Sequence, residues 1–209
     1  MKVVVTAGPT REFLDPVRFL SNPSTGKMGF AVAAEMARRG CEVVLVAGPV
    51  GLRTPRGVRR VDVVSARQML AAVRRETVTR RGAEMPVLVA TAAVSDWRPA
   101  KCAAVKLKKR EMSGTLELVR NPDVLRLARG CRKVGFAAET GDAVAEAARK
   151  CREKKLEFIV ANDVTEPGSG FGSDTDRVTF VFPDGRTKAF PVMSKRMVAR
   201  RIADEVLGV

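Results

Sequence analysis

Hydrophobic and polar positions alternate along the chain between two periods. Short runs rich in β-branched residues at Val3–Thr6, Glu42–Val46, Val87–Ala93, Val134–Ala138 and Phe158–Ala161 predict buried strands. Between them, helical spacing predicts Gly29–Arg39, stopped by Gly40, then Ala66–Arg80 with Met69, Leu70 and Val73 on its apolar face, and Asp142–Lys155. Val58–Val64 and Thr115–Val119 are further candidate strands, and Pro122 opens a short helix to Ala128. After Asn162 the pattern changes. A Gly/Ser loop, Pro167–Ser173, leads to a strand at Val178–Phe182, a Pro183-Asp184-Gly185 turn and a second strand running to Val192, which together predict a hairpin. Lys195–Leu207 predicts a last helix. Strand and helix in alternation predict one α/β domain over residues 1–209: a mostly parallel sheet between two helical layers, with a hairpin extension at about 167–193.

Ligands of such sheets bind beyond the carboxyl ends of the strands. The segments leaving those ends are Thr6-Ala7-Gly8-Pro9-Thr10, Ala47-Gly48-Pro49, Thr91-Ala92-Ala93-Val94-Ser95-Asp96, Phe136-Ala137-Ala138-Glu139-Thr140 and Ala161-Asn162-Asp163. All are small or polar, so a ligand can approach the backbone closely. The segment Ser21-Asn22-Pro23-Ser24-Thr25-Gly26-Lys27-Met28-Gly29 enters the first helix with hydroxyls, glycines and unpaired N–H groups. That suits a phosphate or carboxylate; the plainer alternative is an N-cap by Ser24 or Thr25. A G-x-G-x-x-G turn is absent, and Gly26-Lys27 is followed by Met28 rather than the hydroxyl residue of a Walker loop. Lys106, Lys108 and Lys109 follow the central strand, and Lys150 and Lys154 are spaced i,i+4 on one helix face; both sets suit polyphosphate or a solvated surface. Asp96 is a candidate for one Mg²⁺ carboxylate, for a hydrogen bond to a base or sugar, or for a turn. Phe136 suits either a core position or the cover of a nucleobase.

Composition narrows the chemistry. The chain has no histidine and no tyrosine, so Ser-His-Asp and Cys-His systems, His-ligated metals and Tyr acids are excluded. An NADP-dependent oxidoreductase lacks its usual proton donors. Lys and Arg total 38 against 23 Asp and Glu, a net charge of +15. That suits polyanionic ligands or a solvated Arg-rich surface equally. A nucleic-acid module would add stacking aromatics along a basic stripe, and the chain has one Trp and scattered Arg. Cys41, Cys102, Cys131 and Cys151 form no C-x-x-C pair. With no long apolar run or leader-like segment, the expectation is a cytoplasmic protein with free thiols, off the membrane and off nucleic acid.

The segments TAGPTREFLDPVRFLSNPSTGKMGFAVA, VVLVAGPV, ATAAVSDWRPA, KLKK, NPDVL, VGFAAET, FIVANDV and GFGSDTDRV, in this order, resemble the phosphopantothenate–cysteine ligase family over nearly the whole chain. The resemblance is to the ligase half of a bifunctional flavoprotein of coenzyme A biosynthesis, without its decarboxylase half. It implies a Rossmann-like sheet and a ligase joining 4′-phosphopantothenate to L-cysteine through an acyl-cytidylate, using CTP and Mg²⁺, with ATP the less favoured nucleotide. It also implies a homodimer, formed through the Val178–Val192 hairpin, and a separate decarboxylase chain as a further partner. By the same resemblance, Asn22 promotes breakdown of the intermediate and Lys106 its formation. Ala90, Thr91, Ala92, Asp96, Pro122, Asp123, Val124, Leu125, Phe136, Lys150 and Lys154 fall on nucleotide contacts, and Ala92 and Ala93 border the pantothenate site. Added to Asn22, Ser24, Gly26 and Gly29, these make the expected anion site. Trp97 and Leu107 stand where the family usually has Tyr and Ile. No residue is assigned as the base for the cysteine amine.

Overall fold

The structure, a computed structural model, describes residues 1–79, 82–111, 114–139, 143–163 and 169–209. β1 (Lys2–Ala7) runs into a small hairpin of β2 (Arg11–Phe13) and β3 (Phe19–Ser21) that the sequence pattern does not predict. Then come α1 (Lys27–Arg38), β4 (Glu42–Ala47), β5 (Val58–Asp62), α2 (Ala66–Glu76) and β6 (Val87–Ala90). β7 (Trp97–Pro99) pairs antiparallel with β8 (Leu118–Arg120) in a second small sheet. α3 (Val124–Leu127), β9 (Arg132–Glu139), α4 (Ala143–Lys154) and β10 (Phe158–Asp163) complete the alternation. β11 (Thr175–Asp176), β12 (Thr179–Val181), β13 (Thr187–Ala189), β14 (Met193–Ser194) and α5 (Lys195–Leu207) close the chain.

The main sheet has the order β13-β12-β10-β9-β6-β1-β4-β5, parallel from β10 to β5, with β12 and β13 antiparallel. The period of two along β1 divides the core. Val3, Val5 and Ala7 face a layer of α1 and α5, built on Phe30, Val32, Met36, Val198 and Ile202. Val4 faces a layer of α2 and α3 with Met69, Leu70, Val73 and Val124. α4 covers the far end with Ala147 and Cys151, packed on Ile159 of β10. The chain leaves β1 for β4 on one side and, through α2 on the other face, reaches β6 on the other side. A crevice therefore opens between β1 and β6, where such sheets bind ligands.

Several boundaries differ from expectation. α2 stops at Glu76 rather than Arg80, which lies outside the described residues, as do Thr140, Asp142 and Pro167. Pro122 lies outside α3: Asp123 is the N-cap, accepting the Arg126 N–H at 2.9 Å, so Pro122 only sets the entry. The central strand ends at Ala90, and beyond it the chain stays beside β1: the Thr91 N–H and hydroxyl both donate to the Thr6 carbonyl, the Ala92 N–H donates to the Thr6 hydroxyl and the Ala93 N–H to the Gly8 carbonyl. The hairpin is spliced into the main sheet rather than free. β12 lies against β10, with Phe180 and Val181 buried, and only β13 forms an exposed edge.

Candidate active site at the sheet crevice

The first helix begins without a side-chain cap. Gly26 is the N-cap in the left-handed region (φ 80°), which a Cβ would strain. Neither proposed cap residue serves. Ser24 Oγ accepts the Gly26 N–H at 3.4 Å, and Thr25 Oγ1 donates to the Phe171 carbonyl at 2.8 Å. The positive end of α1 is left to face a cavity. Gly29 has a different reason to be glycine. A Cβ there would lie 2.4 Å from Thr91 Oγ1, 2.5 Å from the Ala7 Cβ and 3.0 Å from the Thr6 carbonyl, so α1 can approach β1 and β6 only without it.

Two cavities meet at the crevice. The larger, about 670 Å³, lies over the α3 side, with Thr6, Ala90, Asp96, Pro122 to Leu127 and Lys154 among its walls. The smaller, about 300 Å³, lies at the start of α1, with Asn22, Ser24 to Gly29, Thr91, Ala93, Asn162, Asp176 and Lys195. Ala92, Val94 and Phe136 line both, and so stand at the boundary between them. Phe136 packs on the α1–α5 core and also borders both cavities.

The expected residues distribute unevenly. Ala90, Ala92, Asp96, Pro122, Asp123, Val124, Leu125, Phe136 and Lys154 share the larger cavity. Thr91 instead faces the smaller, its hydroxyl donating to the Thr6 carbonyl at 2.6 Å. Asn22, Ser24, Gly26, Gly29, Ala92 and Ala93 share the smaller, and Asn22 Nδ2 is fixed by the Ala93 carbonyl at 3.1 Å. Lys154 reaches the larger cavity, paired with Asp123 at 2.9 Å, whereas Lys150 lies outside both cavities beside Glu146 at 3.4 Å. One turn of helix separates the two lysines, and α4 presents only the later one to the crevice. Burial pushes the Asp123 carboxyl up, but the Arg126 N–H and Lys154 outweigh it and hold the group below its ordinary value.

Lys106 is exposed and lies outside both cavities. Its neighbour Leu107 is anchored: its N–H donates to Asp15 Oδ2 at 3.2 Å, and its carbonyl accepts from Arg18 Nη2 at 2.9 Å. Asp15 is fully buried, and its hydrogen bonds from Arg18 hold its carboxyl far below the usual range. The lysine loop is therefore docked on the β2–β3 turn.

Sequence reasoning missed Lys195, Asp176 and Phe171 in the smaller cavity, and Arg120, Asn121 and Arg126 in the larger; Asn162, also in the smaller, lies in a strand-end segment that it did name. The GFGSDTDRV segment held part of that signal; Lys195 sits at a helix start with nothing local to mark it. Among the described residues no cluster of three His, Cys, Asp or Glu forms a protein-only metal site, and no helix is long and apolar enough to cross a membrane.

The family described as DNA/pantothenate metabolism flavoprotein C-terminal domain matches residues 1–209. The chain belongs to that family. Within this flavoprotein C-terminal domain family, the chain is 42% identical over 215 residues to the Coenzyme A biosynthesis bifunctional protein CoaBC of Escherichia coli (strain K12). It is 44% identical over 212 residues to that of Bacillus subtilis (strain 168). These alignments take in 99% of the chain but 52% and 51% of the relatives, so the chain spans about half their length. The crystal structure of the C-terminal domain of a CoaBC protein superposes with a TM-score of 0.80 at 37% identity, over 98% of this chain and 93% of that one. A Cab2 mutant in complex with phosphopantothenate-cysteine shares the fold, with a TM-score of 0.76 at 17% identity, over 98% of this chain and 86% of that one. The three-layer α/β sheet expected of a C-terminal domain of this family is the sheet observed.

Proposed function

We propose that this chain is a ligase of coenzyme A biosynthesis that joins 4′-phosphopantothenate to L-cysteine with CTP. The observation that carries the reading is the pair of cavities meeting across Ala92, Val94 and Phe136, in a chain matched over its full length by the flavoprotein C-terminal domain family. A nucleotide in the larger cavity and an acid anchored at the α1 terminus would meet at this partition. The pantothenate carboxylate is ionised at neutral pH, so the first step needs alignment and charge stabilisation rather than a base. The carboxylate attacks the α-phosphate and pyrophosphate leaves. Lys154, Arg120 and Arg126 supply positive charge around the larger cavity, and Lys106, exposed on the docked loop, is the further cation assigned to forming the intermediate. In the second step the cysteine amine attacks the acyl carbon and CMP leaves, with Asn22 beside the acyl group.

The carboxylates of the larger cavity, Asp96 and Asp123, fit Mg²⁺ only as it usually accompanies a triphosphate, held by phosphate oxygens and one or two carboxylates. Asp123 is committed to its cap and to Lys154, which leaves Asp96 as the protein ligand. The ion would neutralise charge on the phosphates.

We assign the enzyme to the cytoplasm and infer a homodimer. The hairpin buries Val178, Phe180, Val181 and Phe182 inside the chain and leaves Val192 exposed, whereas Val17, Phe19, Trp97 and Leu118 stand exposed together on the β2–β3 and β7–β8 unit, so that face is the better candidate for a second copy. A decarboxylase chain is the other expected partner. The reading is tested by pyrophosphate release with Mg²⁺, 4′-phosphopantothenate and cysteine, comparing CTP with ATP. Release that requires phosphopantothenate and runs faster with CTP is expected; no release with either nucleotide overturns the reading.

A further inference from the structure

The smaller cavity contains a cation and an anion that the reaction as described leaves idle. Lys195, the first residue of α5, is 6% exposed, and Asp176, in β11, is 4% exposed. Both line the cavity wall together with Asn162, Gly170 and Phe171. Each is held by uncharged partners. Lys195 Nζ donates to the Gly170 and Ser173 carbonyls, both at 2.7 Å, which uses two of its three protons. Asp176 accepts from Asn162 Nδ2 at 3.1 Å and is also bonded by the Gly170 N–H and the Ser169 side chain. The nearby Lys27 on α1 is already engaged, by Asp174 at 2.7 Å and the Gly172 carbonyl at 3.0 Å. Buried charges are costly unless they are matched. A cation and an anion on one wall of a small cavity match a zwitterion.

We propose that Lys195 and Asp176 form the binding site of the amino-acid co-substrate, Lys195 taking its α-carboxylate and Asp176 its α-ammonium. The inference rests on the ligase reading and supplies the base that reading lacks. The chain has no histidine or tyrosine, and among the described side chains Asp176 is the sole carboxylate of this cavity. Burial pushes the Asp176 carboxyl above its ordinary range, against the Asn162 hydrogen bond and the Lys195 charge, which makes it a better proton acceptor. Burial likewise draws the Lys195 ammonium down, against the Asp176 charge. In the step itself the α-ammonium gives one proton to Asp176. The freed lone pair forms the C–N bond, and the acyl C–O bond breaks with its electron pair staying on the phosphate oxygen of CMP. The second nitrogen proton passes to water as the amide forms.

The test compares cysteine with cysteamine, which lacks the carboxylate, in wild type, Lys195→Gln and Asp176→Asn, each checked for folding by thermal melting. Wild type should prefer cysteine in kcat/KM by roughly 10–100-fold, the worth of one charge-assisted hydrogen bond. K195Q should collapse that ratio by raising KM for cysteine. D176N should slow the aminolysis step with both amines by about 100-fold or more while pyrophosphate still forms. Wild-type indifference to the carboxylate, a ratio unmoved in K195Q, or a KM effect of K195Q on phosphopantothenate instead of cysteine overturns the proposal. If wild type releases pyrophosphate but these results fail, only this site assignment falls; if wild type releases none, the ligase reading falls and takes this inference with it.

Discussion

Gly29→Ala sets two physical effects against each other. In a helix interior, alanine in place of glycine gains roughly 0.5–1 kcal/mol of backbone entropy. Here the added methyl meets Thr91 Oγ1 at 2.4 Å, the Ala7 Cβ at 2.5 Å and the Thr6 carbonyl at 3.0 Å, against about 3.5–4 Å for a relaxed contact. Two of these three neighbours belong to β1, a buried central strand that cannot yield, so α1 must retreat by about 1 Å. Overpacking of this kind costs about 1–3 kcal/mol. The packing cost wins, leaving a net destabilisation of about 1–2 kcal/mol and a fall in Tm of roughly 3–8 °C for a chain of this size. Gly172→Ala is the control, since no atom lies within 4 Å of its added Cβ. Calorimetry on the two variants beside wild type reads the result. A Gly29→Ala melting point equal to or above wild type would mean that helix propensity dominates and that the close approach of α1 to the crevice is not needed.

Asn22→Asp should still release pyrophosphate but accumulate the nucleotidylated intermediate, visible by mass spectrometry after rapid quench. Lys106→Gln should abolish pyrophosphate release without shifting the melting curve, because the side chain is exposed; a lowered melting point would mean that it packs. Glu35 is held down to about 2 by its hydrogen bonds to Arg38, against burial and with help from Arg39. Its contribution is therefore present above the ordinary carboxylate range and lost as pH falls from about 4.5 toward 2. Its ceiling is ~3 kcal/mol, nearer 1–2 because Arg38 stands mostly in water. Glu35→Gln should lower stability at pH 7 and match wild type at pH 2 in urea titrations. If the chain pairs through the inferred face, Phe19→Asp should give monomer in sedimentation equilibrium, whereas Lys188→Pro in β13 should stay paired; the reverse would return the interface to the hairpin.

What the sequence made legible followed from burial. The central strands β1, β4 and β6 are nearly uncharged runs, and α1, α2 and α5 carry apolar faces, so period alone exposed them. β2, β3 and β7 were missed because each is three residues long, too short for any period to register, while β8 falls at the end of the Thr115–Val119 strand that was expected. The start of α1 was legible in composition but not in mechanism. Ser24 and Thr25 look like caps, and tertiary bonding to Phe171 diverts Thr25 while Gly26 takes the cap position. Lys154 and Lys150 were indistinguishable by spacing, and only the approach of α3 to α4, through Asp123, separates them. Lys195 gave no local signal, and Asp176 only its place in the GFGSDTDRV segment, because their meaning lies in a wall assembled from β10, β11 and α5.

The bond between Asp15 and Leu107 also bears on heredity. Asn22 follows β3 directly, and Lys106 precedes the residue that the β2–β3 turn holds, so both are carried by one scaffold assembled from segments some ninety positions apart. A lineage altering the length of either segment would have to alter the other to preserve their relation. A lysine loop transplanted into a foreign sheet without Asp15 and Arg18 would arrive with its charge but without its address.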